Sequence, residues 1–150
     1  MTDLSNATII ELAAAIASHL GKNNIKVVLV GGLAVEFPSA PLFVGDDFVN
    51  ETTTISVGNS EIPILHAIDV VKDRLAAYFH WNDRPSLAQA ITVMICHGIK
   101  PVDVESFCVR EMKAEEFPFI AELYSMSEKQ NFKTMGEVEN LVLQEYLKRQ

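Results

Sequence analysis

Residues 26–38 have the sequence Lys26-Val27-Val28-Leu29-Val30-Gly31-Gly32-Leu33-Ala34-Val35-Glu36-Phe37-Pro38. The first five residues are a short, β-branched apolar run without polar alternation, which predicts a buried strand. The pair Gly31-Gly32 ends that run, because glycine lets the backbone turn sharply and leaves its amide groups uncovered. If a helix begins there, those amides form an anion site at its N-terminus; the alternative is a tight strand-to-helix turn that binds nothing.

On the N-terminal side of this strand, the pattern predicts a helix from about Asn6 to Leu20. Thr8 and Glu11 have the spacing of a capping box. One apolar stripe predicts the face that packs on the sheet, and its members are Ile9, Leu12, Ala13, Ile16 and Leu20.

On the C-terminal side, the alternating residues 52–57 and the run 62–65 predict an antiparallel hairpin. Pro63 predicts that the return strand lies at an edge or a bulge. From about Asp69 onward the pattern is helical. The expected fold is α+β, with a small mixed or antiparallel sheet and an N-terminal helix in residues 1–67 and a helical part in residues 68–150 packed on it.

Composition limits the function. The chain has 150 residues, which favours one domain with a substantial core. Its net charge of −8 opposes nonspecific binding to nucleic acids. No apolar run has transmembrane length and the start lacks a basic secretory signal, so we expect a cytoplasmic protein. Cys96 and Cys108 are expected to be reduced thiols in the core.

Two blocks of the chain resemble the small nucleotidyltransferase-like family. Residues 27–35 look like the family's opening, in which a strand ends in Gly-Gly and a helix follows. The block Ile68-Asp69-Val70-Val71-Lys72-Asp73-Arg74-Leu75-Ala76-Ala77-Tyr78-Phe79-His80-Trp81-Asn82-Asp83-Arg84 is similar to a helix of bacterial members. The resemblance covers roughly residues 5 to 97 and implies a nucleoside triphosphate and Mg²⁺ as ligands.

The chain departs from the family at the metal site. Family members carry an Asp-x-Asp pair whose carboxylates hold the divalent metals on the nucleotide phosphates, and no Asp-x-Asp occurs here. Val35-Glu36-Phe37-Pro38 looks like a later family strand, as though the middle of the domain were missing near residues 33–35. The resemblance makes Glu36 the remaining metal ligand and catalytic carboxylate; the alternative is a surface glutamate.

Charged residues on the helix from Asp69 are the other candidates. The resemblance and the Gly pair give a predicted nucleotide-binding set of Gly31, Gly32, Lys72 and Arg74. The alternative for the last two is a solvated, salt-bridged helix face. In the turn Gly45-Asp46-Asp47, solvated carboxylates are commoner than a shared metal site. Trp81 is expected to anchor its helix end in the core.

Two functions follow as expectations. The first is a nucleotidyltransferase-like protein that binds a nucleotide but is catalytically impaired. The alternative is a non-catalytic interaction module, antitoxin-like or regulatory, whose acidic surface would suit a basic partner. A sheet that lacks its middle strands exposes an edge, so we also expect a homodimer formed through residues 26–37 or through the hairpin of residues 52–65.

Overall fold

The computed structural model describes residues 7–23, 25, 27–30, 34–36, 42–45 and 47–149, without the side chains of residues 29, 30 and 34–36. The chain divides into two compact units. The first consists of Met1–Phe43 and Phe48–His66, and the second of Val44–Asp47 and Ala67–Gln150. The division after residue 66 lies where the sequence pattern changes from strands to helices.

The first unit contains a four-stranded sheet with the strand order β2-β1-β6-β5. Its strands are β1 (Val28–Val30), β2 (Ala34–Glu36), β5 (Thr52–Val57) and β6 (Ser60–Leu65). β1 runs antiparallel to β2 and parallel to β6, and β5 and β6 form the predicted antiparallel hairpin. The sheet is therefore mixed, as expected.

The Gly pair is followed by a strand rather than a helix. β2 returns antiparallel to β1, with Val30 opposite Ala34 and Val28 opposite Glu36. The expected helix after the Gly pair is therefore wrong, whereas Gly31 and Gly32 themselves lie outside the described residues, so the anion site at their amides stays a prediction. β1 is also not an edge strand, since it lies between β2 and β6; the edges are β2 and β5.

The strand that contains Pro63 is central. β6 lies between β1 and β5 and pairs with all six residues of β5 without a bulge. The prediction of an edge or a bulge was therefore wrong. Alternate residues of a strand direct their backbone groups to opposite neighbours, so one proline removes a single donor. The described pairing of β6 with β1 is short and joins Leu29 with Ile64.

Helix α1 (Ile9–Gly21) packs on β5 and β6 with its small side chains. Its capping box is present: the Thr8 amide donates to Glu11 at 2.8 Å, and the Glu11 amide donates to the Thr8 hydroxyl at 3.3 Å. The buried residues are Ala13, Ala14 and Ala17, which contact Val27 and Ile62. Three members of the predicted stripe are instead exposed: Ile9, Leu12 and Ile16.

The second unit is helical. Its helices are α2 (Ala67–Trp81), α3 (Arg84–His97), α4 (Val102–Arg110), α5 (Phe117–Lys129) and α6 (Met135–Lys148), with a 3-10 turn at Ala114–Glu116. Asp83 caps α3, and Gly98 ends it in a left-handed conformation. Pro118 lies in the first turn of α5, where its missing amide hydrogen costs nothing.

One core holds these helices together. Its fully buried members come from every helix of the unit, and the largest are Phe107, Leu75, Leu87, Ile91, Met94, Ile120 and Leu123. Trp81 is not among them: it is 74% exposed, so the expectation that it anchors the end of α2 was wrong. Tyr78, three residues earlier, is buried instead.

The α+β class, the N-terminal helix, the strand before the Gly pair, the β5–β6 hairpin and the helical half are thus as predicted. No helix in the described part of the chain combines the length and the apolar character that a membrane span requires.

Candidate functional site

A short hairpin supplies the first part of the site. Its strands are β3 (Phe43–Val44) and β4 (Asp47–Phe48). Val44, at its tip, is buried in the second unit. Gly45 has a φ of +56°, and a Cβ there would lie 2.2 Å from Oε1 of Glu111. A side chain at position 45 would therefore require the Glu111 side chain to shift.

The carboxylate of Asp47, next to this tip, contacts two cationic side chains. Arg110, at the end of α4, donates from Nε to Oδ1 at 2.9 Å and from Nη2 to Oδ2 at 2.7 Å. Nζ of Lys72, on α2, lies 3.0 Å from the same Oδ2. A two-point arginine contact with a lysine added is a strong arrangement for one oxyanion. We call Asp47, Lys72 and Arg110 the cradle.

Further charges surround the cradle. Oδ1 of Asp69, one helical turn before Lys72, lies 3.7 Å from its Nζ. Glu111 is buried, and its Oε2 lies 2.7 Å from Nε2 of His80. While Asp47 contacts them, both Lys72 and Arg110 therefore have carboxylate partners.

The hydrogen bonds from Arg110 lower the pKa of Asp47; burial opposes this shift, and Lys72 adds to it. A lowered pKa means that folding favours the ionised carboxylate. The corresponding stability is present above the unfolded-state pKa and is lost as pH falls through the folded-state value.

Of the two predicted site residues whose side chains the structure describes, Lys72 and Arg74, only Lys72 belongs to this cluster. Arg74 projects elsewhere on α2, where it binds the neighbouring Asp73 and lies 3.5 Å from Oε1 of Gln89. Gly31 and Gly32 lie outside the described residues. Glu36 lies in β2, opposite Val28, and its side chain is outside the described part, so its predicted role as catalytic residue and metal ligand remains a prediction.

Sequence reasoning missed two members of the cradle. Asp47 was expected to be a solvated turn carboxylate, but its side chain is only 19% exposed. Arg110 stands 63 residues away from it in the chain and belongs to no local motif. Their contact joins a turn to the end of a helix far along the chain, and local residue spacing does not predict such a contact.

A second polar cluster lies in the helical unit. The hydroxyl of Tyr78 donates to Glu116 at 2.9 Å, and Arg149 lies 3.4 Å from the same carboxylate oxygen. With Tyr146 these residues line a cavity of about 270 Å³. Burial, and then the hydrogen bond to Glu116, raises the pKa of Tyr78 well above its usual range. The Tyr78 hydroxyl therefore stays protonated and acts as a donor.

The two cysteines differ. Cys108 is buried, and burial raises the pKa of its thiol to about 11. Cys96 is exposed, contrary to the expectation of two core thiols. Both are free, so neither forms a disulfide.

Within the described residues, no three His, Cys, Asp or Glu side chains are placed to share a metal ion. No family model, no curated protein and no solved structure matches this chain.

Proposed function

We propose that this protein is a nucleotidyltransferase-like domain that binds a nucleoside triphosphate through its phosphates and does not transfer it efficiently. The observation that carries the proposal is the cradle, in which Lys72 and Arg110 converge on a single oxyanion. Lys72 belongs to the sequence block that resembles the family, and Arg110 adds a second cation to it.

The geometry of the cradle suits a phosphate. A guanidinium presents a planar fork of N–H donors that matches two oxygens of a carboxylate or phosphate, and an ammonium adds a point charge. The Asp47 carboxylate stands where two phosphate oxygens would bind. The side chain of Arg110 is 46% exposed, so an external anion can reach it from solvent.

The expected weakness in transfer follows from the carboxylates. Metal-assisted phosphoryl and nucleotidyl transfer uses paired metals held by several carboxylates. The chain lacks Asp-x-Asp, and Glu36 alone would be a poor ligand set for two ions. If Mg²⁺ binds, it would come with the nucleotide and supply charge neutralisation at the phosphates.

A transfer assay tests this proposal. The protein is incubated with radiolabelled nucleoside triphosphates, Mg²⁺ and a mixture of protein and RNA acceptors, and labelled products are counted. We expect labelling at the level of a protein-free control. Robust Mg²⁺-dependent labelling that Glu36→Ala abolishes would overturn the proposal and make Glu36 a catalytic residue.

A second candidate, a homodimeric interaction module, is favoured by one observation. β5 is an edge strand, and it pairs with β6 alone among the described strands. An open edge offers unpaired backbone donors and acceptors to another chain.

The chemistry of β5 favours a second copy as the occupant of this edge. Its sequence, Thr-Thr-Thr-Ile-Ser-Val, carries no charge and no proline, the two devices that usually block such pairing. In a chain of net charge −8, a neutral strand is where two copies repel each other least. Antiparallel pairing of β5 with its copy gives a closed two-fold dimer.

A further inference from the structure

We infer that Asp47 is an internal competitor for the phosphate site, so that its carboxylate must leave Lys72 and Arg110 before a polyphosphate can bind. This inference rests on the proposed function and adds to it a mode of control and a ligand class, the polyphosphate chain. It is based on the distances of 2.7–3.0 Å between the carboxylate oxygens of Asp47 and the side-chain nitrogens of Arg110 and Lys72.

Asp47 takes up the donors that a phosphate would use. Arg110 gives it both Nε and Nη2, the two ends of one fork. Lys72 is shared between Asp47 and the more distant Asp69. An incoming phosphate would have to displace the Asp47 carboxylate. It would then lie near the negative charges of Asp69 and Glu111. The wild-type site is therefore expected to bind weakly.

The contact is able to open. The side chain of Asp47 borders solvent, and two neighbouring residues have contacts that do not involve its carboxylate: Val44 is buried, and Gly45 lies close to Glu111. The hairpin has only two residues in each strand, closed by a Val49 to Leu42 hydrogen bond of 2.9 Å and by the rings of Phe43 and Phe48. A rotation of the Asp47 side chain would release the Arg110 fork and leave Lys72 with Asp69 as its remaining carboxylate neighbour.

Calorimetric titration with inorganic tripolyphosphate tests the inference in the full chain. Asp47→Asn keeps the shape and the acceptor oxygen but removes the charge. We expect it to bind tripolyphosphate about ten- to a hundredfold more tightly than wild type, the range expected when charge-assisted hydrogen bonds are freed. Asp73→Asn is the matched control: it removes a carboxylate that binds Arg74 outside the cradle, and its affinity should stay at the wild-type value.

Two further variants locate the effect. Adding Arg110→Gln to Asp47→Asn should return the affinity to the wild-type value or below. Asp47→Ser repeats the test with a small neutral side chain, and a thermal melt of each variant shows that it is folded. Equal affinity of wild type and both Asp47 variants overturns the inference, as does an Arg110→Gln change without effect.

The same titration with ATP separates the inference from the function. If wild type binds ATP and Asp47→Asn binds it no better, the inference fails while the proposed function stands. If Asp47→Asn gains tripolyphosphate binding but no variant binds ATP, the competitor is real and the proposed nucleotide function fails.

Discussion

Gly45 shows how closely a single residue ties the hairpin tip to α4. A Cβ at this position would lie 2.2 Å from Oε1 of Glu111 and 3.2 Å from Cε2 of Phe107. Glu111 cannot simply swing away, because it is buried and lies 2.7 Å from His80. The positive φ of Gly45 adds a second reason for glycine.

We expect Gly45→Ala to cost more stability than Gly98→Ala. Gly98 also has a positive φ, but nothing lies within 4 Å of its Cβ position. Its replacement should cost about 1–2 kcal/mol for the left-handed backbone alone. Gly45→Ala should cost about 1–3 kcal/mol more, because Glu111 must shift.

Urea unfolding of the two glycine variants measures the difference as a change in the free energy of unfolding. Both glycines lie in the second unit, so the comparison is matched. Equal losses would show that Glu111 moves freely and that the tip is not held as described.

Single residues of the candidate site were only partly predictable. Lys72 was found through the block that resembles a known family, and it lies in the cradle. Arg110 and Asp47 were missed as site residues because their contact joins positions 63 apart in the chain. Arg74 does not join Lys72 in the cradle, because positions i and i+2 of a helix lie on different faces, and it binds the adjacent Asp73 instead.

Helix α1 is apolar over more than one face, so its sequence pattern does not determine which face packs on the sheet. The sequence offered a broad stripe, and large side chains were expected to face the sheet. The structure places alanines there, where small residues let the helix approach the strands closely. Ile9 is 64% exposed and Leu12 is 43% exposed.

The exposed and buried faces of α1 should respond differently to the same substitution. Leu12→Gln should change the free energy of unfolding by less than about 0.5 kcal/mol, the usual range for surface positions. Ala14→Gln places a larger, polar side chain at a position that is 3% exposed and should cost at least about 2 kcal/mol. Thermal melts followed by circular dichroism give both values, and a larger loss for Leu12→Gln would mean that the predicted stripe does face the core.

At the level of elements, local patterns predicted most of the fold. The capping box of α1, the hairpin of β5 and β6, and the stop of α3 at Gly98 all depend on residues near in sequence. The order of the strands in the sheet does not depend on residues near in sequence. That β6 is central, and that the chain returns as β2 after the Gly pair, depends on which strands pair across the sheet.

The charge of the whole molecule bears on assembly. With a net charge of −8, copies of the chain repel one another except where a neutral surface is available. β5 provides such a surface at the edge of the sheet. A dimer through this strand is therefore sensitive to any charge placed on it.

We expect Thr54→Lys to convert a dimer into a monomer. Thr54 is exposed in β5, and a lysine there would add one positive charge from each copy to the strand pairing of the proposed dimer. Asn59→Lys, in the adjacent turn, adds the same charge outside the strand and should leave the dimer intact. Sedimentation equilibrium measures the mass; a wild-type mass near 16.6 kDa at all micromolar concentrations would exclude the dimer.

We propose that a nucleoside triphosphate binds at Lys72 and Arg110. The most direct test is calorimetric titration of ATP with Mg²⁺ into wild type, Lys72→Gln and Arg74→Gln, because these two cations lie on the same helix and only Lys72 belongs to the cradle. We expect measurable binding to wild type, an affinity about tenfold weaker for Lys72→Gln, and an unchanged affinity for Arg74→Gln. No binding to wild type, or equal losses for the two variants, would contradict the account.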